Sequence, residues 1–247
     1  MASQDHSEPV DLVGPYPTHN VGEAATTAAA AAVSGFPVVG GPAAALIEAT
    51  LSRRIKEDQA AWLNRVAELL NWAVGVLSEL SIEDLIDDET FRSVFASAYQ
   101  AATRTGYAAK LDALANAVVN SVGPHAPEAH YRFMFLQFID DLQPAHLRLL
   151  AYCADPIGWY DRAGIPREHF LSAARLAPLK GAFPEWSEEF IKLVAGDLTT
   201  RNLIDGATLY GSGTENSVWA PIIHSLGAQF LEFIHAPPEL GEDAHAP

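Results

Sequence analysis

The chain has 247 residues and carries 31 acidic against 15 basic side chains, a formal charge of −16. Every Lys and Arg lies between Arg53 and Arg201, so neither end offers the clustered cations that phosphate binding needs, and nucleic acid is set aside as a partner. A single cysteine, Cys153, and no C-x-x-C exclude a disulfide framework and point to a reducing cytoplasm, while the length suffices to bury about 70% of the unfolded chain's surface without metal or bridge.

Residues 1–22 hold Pro9, Gly14, Pro15, Pro17 and Gly22 among polar and acidic residues without a period, the composition of a disordered leader. Its acidic start, with no compact apolar run following directly, does not fit a signal peptide. Residues 23–41 form an Ala/Gly/Pro-rich apolar segment, and no charge occurs from Ala24 to Ile47. This is the one membrane candidate, carried by Phe36, Val38, Val39, Leu46 and Ile47. Mostly Ala, Thr, Gly and Ser, with Pro37 and Pro42 inside, it lacks the bulky apolar content of a span. The favoured reading is an Ala-rich helix over 24–34, a break at Gly35-Phe36-Pro37, and a Gly40-Gly41-Pro42 turn whose proline opens the next helix.

From Pro42 to about Leu77 the positions Leu46, Ile47, Leu51, Ile55, Trp62, Val66, Leu69, Leu70, Ala73 and Leu77 recur at helical steps, predicting one long amphipathic helix. Ser81 and Asp84 have capping-box spacing for a short helix through Ile86. Asp87 or Asp88 caps a helix with Phe91, Val94, Phe95, Ala98, Tyr99 and Ala102 on one stripe. Gly106 interrupts before a helix from Tyr107 to Val122. Gly123-Pro124 turns the chain, Pro127 opens a helix through Leu142, and Pro144 opens another that ends before Pro156. Beyond Pro156, helices are expected at 167–176 and about 185–201. Strands are expected at 207–211 and 217–223 around Gly211-Ser212-Gly213, with a last helix from Ser225.

These elements predict an all-α protein: an antiparallel helical bundle over 42–155, then a small winged-helix-like unit with a short β-hairpin over 156–235, and a disordered tail over 236–247. In a winged helix the helix at 185–201 would enter a DNA groove, yet Glu185, Glu188, Glu189 and Asp197 outnumber Lys192 and Arg201, and 207–223 carries no cation.

Four stretches resemble a family of bacterial helical proteins without an assigned activity. They are Gly40-Gly41-Pro42 with Arg53-Arg54 and Trp62; Leu85, Glu89, Phe91, Ala98, Ala101-Ala102, Thr105, Lys110-Leu111, Ala113-Leu114 and Asn120-Ser121; Phe135-Leu136, Asp140 or Asp141, Leu142, Pro144, His146-Leu147 and Leu149-Leu150; and Leu198, Leu203-Ile204, Leu226-Gly227, Phe230-Leu231 and Phe233-Ile234. The resemblance covers roughly 36–236 and in architecture is distantly similar to the Abi-alpha proteins associated with abortive phage infection. Ser225 stands where the family has Thr, and the wing carries no base. The resemblance implies a role in phage defence.

For chemistry, Asp140, Asp141 and His146 form the leading constellation, since a carboxylate can orient an imidazole for acid/base work. The alternative is structural: one Asp caps the helix begun at Pro144, and His146 bonds a core partner. His125, Glu128 and His130 lack a metal-ligand spacing, and Glu83, Asp84, Asp87, Asp88 and Glu89 lack the alternation and glycine of a calcium loop, so they read as helix caps. Cys153 has no adjacent base and reads as a packed small residue. No phosphate loop, G-x-S-x-G elbow, dinucleotide turn or H-E-x-x-H helix occurs. No cofactor or metal is expected. The reading is a non-enzymatic protein acting through protein contacts. The alternatives are a membrane-acting effector inserting 24–51 and an enzyme at Asp140, Asp141 and His146.

Overall fold

A computed structural model describes residues 42–77, 80–123, 125–169 and 172–237. The leader, the helix expected at 24–34 and the membrane candidates Phe36, Val38 and Val39 lie outside these residues. Leu46 and Ile47 lie on the first helix.

The chain is mainly helical, as its periodicity predicts, with one small antiparallel sheet. Helix α1 spans Pro42–Val76. The short α2 (Ile82–Asp87) starts where the Asp84 N–H donates to the Ser81 hydroxyl, and α3 (Glu89–Arg104) starts where the Phe91 N–H donates to Asp88 at 3.0 Å. Asp88 is thus the capping acid of the predicted pair.

Helix α4 (Ala108–Val119) is the centre of the bundle, packing against α1, α3, α5 and the C-terminal helix. Residues 113–119 are all buried, so the second half of α4 has no solvent face, which its Ala, Leu and Val side chains permit, while Ala108, Ala109 and Asp112 at its start are exposed. α1 runs parallel to it, from the Trp62 indole N–H donating to the Leu111 carbonyl at 3.1 Å to Leu77 beside Gly123. Trp62 also meets the Phe95 and Tyr99 rings of α3.

α5 (Ala129–Asp141) and α6 (Pro144–Ala154) complete this part. Asp155 ends α6 and also caps α7 (Pro156–Ala163), its carboxylate accepting the Gly158 N–H at 2.8 Å. Gly164, with φ of 64°, closes α7 in the left-handed region. The helix expected at 167–176 is therefore displaced: the chain spends its helical turns on Pro156–Ala163 and on α8 (Leu176–Ala182), with strand β1 (Ala173–Ala174) between.

α9 (Glu188–Thr200) opens with the Phe190 N–H donating to Ser187. Asn202, at φ 57°, turns the chain out of it. The two-stranded sheet is present, but its strands lie elsewhere than predicted: β1 pairs with β2 (Ser212–Gly213), Ala173 opposite Gly213. Residues 206–209 wind into a 3-10 turn under the Thr208–Asp205 bonds, and Glu215–Val218 forms the short helix α10. Ile222 and Ile223 do make β-like contacts, against the exit of α9: Asp205 N–H donates to Ile222 O and His224 N–H to Leu203 O.

The final helix α11 (Ser225–Ile234) packs on α4 and α6. Its open carbonyl end is closed by α4: Asn116 donates to Ile234 O at 3.0 Å, and Asn120 to Phe233 O and His235 O. One apolar core runs from Trp62 to Ile234 through Phe135, Phe183 and Phe230.

Candidate functional site

The α5–α6 corner holds Asp140, Asp141 and His146, and their side chains turn to different partners. Asp140 takes the Arg104 guanidinium of α3 at 2.6 Å. Asp141 lies 3.6 Å from Arg201, beyond the end of α9. His146 Nε2 lies 3.1 Å from Asp197 of α9. Beneath them Lys110 is buried, its ammonium donating to the Asp140 carbonyl at 2.6 Å. Burial holds its pKa below the ordinary value, while Asp140 and Asp141 oppose that shift.

The imidazole has no nitrogen to spare. Gln143 donates its backbone N–H to Nδ1 at 3.1 Å. A backbone N–H only donates, so Nδ1 is the acceptor and the proton of the neutral ring sits on Nε2, donated to Asp197. A general base or metal ligand needs a free ring lone pair, and here that pair is spent on Gln143. Gln143, not an Asp, occupies the cap position of α6, which corrects the expected capping by Asp140 or Asp141. The arrangement is a polar seam joining the α5–α6 corner to α3, α4 and α9.

Elsewhere, His130 lies 3.5 Å from Glu128 on an exposed surface, and Asp84 and Asp88 serve helix starts. Among the described residues, no group of three His, Cys, Asp or Glu side chains could hold a metal, and no helix is long and apolar enough to cross a membrane. Cys153 is buried, its thiol pushed up to about 12 by loss of solvent. An open cleft of about 710 Å³ has Ile157, Trp219 and Pro221 below Arg167, His169 and Glu215. Its His169–Glu215 pair, 2.9 Å apart, is solvent-exposed at the histidine.

No protein-family model, curated protein or solved structure matches the chain.

The feature that periodicity did not single out is an apolar groove of about 490 Å³ between α1, α2 and α3. α1 contributes Leu63, Val66 and Leu70, α2 contributes Leu85 and Ile86, and α3 contributes Phe91 and Phe95, with Ala67 on its wall. Ile86 is 57% exposed. Each of these residues looks like part of a core stripe, but α2 is too short to close the gap between its longer neighbours. Arg92 at the edge donates to the Ile86 carbonyl at 2.7 Å, fixing the C-terminal end of α2. α2, the residue after it and the first residue of α3 also carry the exposed carboxylates Glu83, Asp84, Asp87, Asp88 and Glu89, none of which lines the groove.

Proposed function

We propose that this protein is a non-enzymatic interaction module whose α1–α2–α3 groove receives the apolar face of a basic amphipathic helix from a partner protein. The observation that supports this reading is an open apolar groove walled in part by α2 and α3, the two helices whose junction also carries five exposed carboxylates. An amphipathic helix recognised in this way places apolar anchors one turn apart in the groove, while Lys or Arg on its flank meets the acids. Complementary charge speeds encounter and rejects an acidic helix of the same shape.

A fluorescent synthetic helix of Leu and Lys at amphipathic spacing serves as the probe. Anisotropy should show saturable binding that weakens with salt, and its Leu/Glu counterpart should not bind. Ala67→Arg, which fills the groove, should weaken binding by roughly tenfold or more, about 1.4 kcal/mol. Equal binding of the Lys and Glu peptides, or affinity unchanged by Ala67→Arg, would show that the acidic surface attracts cations without using the groove.

A further inference from the structure

The open cleft of about 710 Å³ owes its position to the two-stranded sheet. β1 pairs with β2, Ala173 opposite Gly213, and α10 starts two residues after β2. The pairing therefore carries Arg167, Glu168 and His169, which lie just ahead of β1 in the chain, to the start of α10. There His169 Nδ1 stands 2.9 Å from the Glu215 carboxylate. An ionised carboxylate only accepts hydrogen bonds, so Nδ1 is the donor and the neutral ring keeps its lone pair on Nε2. This is the reverse of His146, whose lone pair is spent on the Gln143 N–H. The His169 side chain is 94% exposed, which leaves that lone pair open to a ligand.

The rest of the lining has two parts. Ile157, Trp219, Ala220 and Pro221 form an apolar surface, with the Trp219 ring held edge-on by Tyr160 at 5.0 Å and Ile157 39% exposed. The charged part is mainly acidic. Glu168 and Glu215 both line the cleft, and its one described guanidinium, Arg167, stands 3.5 Å from Asp161 of α7. Among the described residues, no Lys or Arg lies within 4 Å of either glutamate. The polar groups that face a ligand are thus acceptors: two carboxylates and an imidazole nitrogen.

We propose that this cleft binds a small organic cation, a primary ammonium or amidinium carried on an aromatic or alkyl body. The N–H donors of the head go to Glu168, Glu215 and Nε2 of His169, and the apolar body lies on Ile157, Trp219 and Pro221. An apolar wall with a few converging polar groups is the usual make-up of small-molecule sites, which run from about 300 to about 1,000 Å³. Hydrogen bonds from a cation to carboxylates are the stronger, charge-assisted kind and fix the head. An anion of the same shape meets two carboxylates instead, and a neutral molecule gives them no counter-charge. None of these residues belongs to the α1–α2–α3 groove, so cleft and groove are tested separately.

Phenethylamine serves as the probe, with phenethyl alcohol and hydrocinnamate as its neutral and anionic counterparts. Binding is followed by the tryptophan indole N–H resonances of the isotope-labelled full chain, that of Trp219 being assigned by its loss in Trp219→Phe. Titration to about 20 mM amine should shift the Trp219 resonance saturably, a weak affinity that suits so small a ligand. The alcohol should bind roughly tenfold more weakly, and the acid should leave the resonance unmoved. Glu168→Gln with Glu215→Gln should weaken amine binding by roughly tenfold or more, while the other four indole resonances keep their positions and report an intact fold. Arg167→Gln, which removes the cation from the cleft, should strengthen it. A Trp219 resonance unmoved by the amine, equal affinity for amine and alcohol, or amine affinity unchanged in the double glutamine variant overturns the proposal. So does hydrocinnamate binding that is lost in Arg167→Gln, which would make the cleft an anion site.

Discussion

His146 holds two helices through one ring. It satisfies the Gln143 N–H at the start of α6 and reaches Asp197 on α9, so His146→Ala leaves an N–H and a carboxylate without their partner. The expected loss is about 1–3 kcal/mol by urea denaturation. His146→Asn, whose side-chain oxygen can replace Nδ1 toward Gln143, should recover part of it, and a full loss in both variants would place the stability in Asp197 alone. Lys110→Met should cost a similar amount, about 1–3 kcal/mol, because the Asp140 carbonyl at the end of α5 loses its buried cationic donor. Cys153 gives a pH dependence with a definite sign. Its thiol is raised in the fold from 9.0 to about 12, so the unfolded chain sheds this proton first and stability falls as pH rises from about 9 to about 12. Burial raises the neighbouring Tyr152 phenol in the same direction. Cys153→Ala should flatten the alkaline slope in denaturation curves, while the cavity it leaves lowers stability at neutral pH; an unchanged slope would show that Cys153 does not contribute to the alkaline loss.

Helix starts were legible because their signals are local. Ser81 with Asp84, Asp88 and Pro144 each act within four residues, and each begins an element at the predicted place, whereas Pro156, read from the sequence only as the end of a helix, also opens one. The strands were not, since Ala173–Ala174 meets Ser212–Gly213 across two helices, and nothing in Ala-Ala or Ser-Gly marks a strand. The seam was half legible: the Asp140-Asp141-His146 cluster is visible in the chain, but its partners Arg104, Lys110, Asp197 and Arg201 lie far off in sequence. The groove was hidden because a residue lining an open gap has the same helical spacing as one in a closed core. Glycines separate packing from propensity in the same way. A Cβ on Gly227 would lie 2.3 Å from the Leu203 carbonyl and 2.8 Å from Ile223, so α11 approaches the Leu203–Ile223 contact through this residue. A Cβ on Gly196, in the middle of α9, meets nothing within 4 Å. Gly227→Ala should therefore destabilise by about 1–3 kcal/mol, and Gly196→Ala should stabilise by about 0.5–1 kcal/mol. Thermal melts of the two variants moving in the same direction would contradict this placement of α11.

At the scale of the molecule, charge is distributed unevenly. Residues 53–201 hold all 15 bases and 20 of the acids, while residues 1–52 and 202–247 hold acids only. The bases are not pooled on a surface either: Arg104, Arg148, Arg162, Lys180, Lys192 and Arg201 each stand within 4 Å of a carboxylate from a neighbouring element or turn. The outer face of α9, which a DNA-reading winged helix would offer to the groove, spends Lys192 on Glu188 at 2.8 Å, and that pair holds the Glu188 carboxyl below its usual range. A phosphate approaching this face would have to displace an internal ion pair and then meet Glu185 and Glu189. Specific and non-specific DNA binding both draw on released counterions, so the expectation of no binding is best tested where that contribution is largest. At about 50 mM salt, a short duplex should show no mobility shift with micromolar protein. Glu185→Lys with Glu189→Lys should create measurable, salt-sensitive binding if charge alone blocks that face. A shift with the wild-type chain would mean that the described surface does not represent how the protein meets phosphate, whereas no shift even with both lysines would place the barrier in shape.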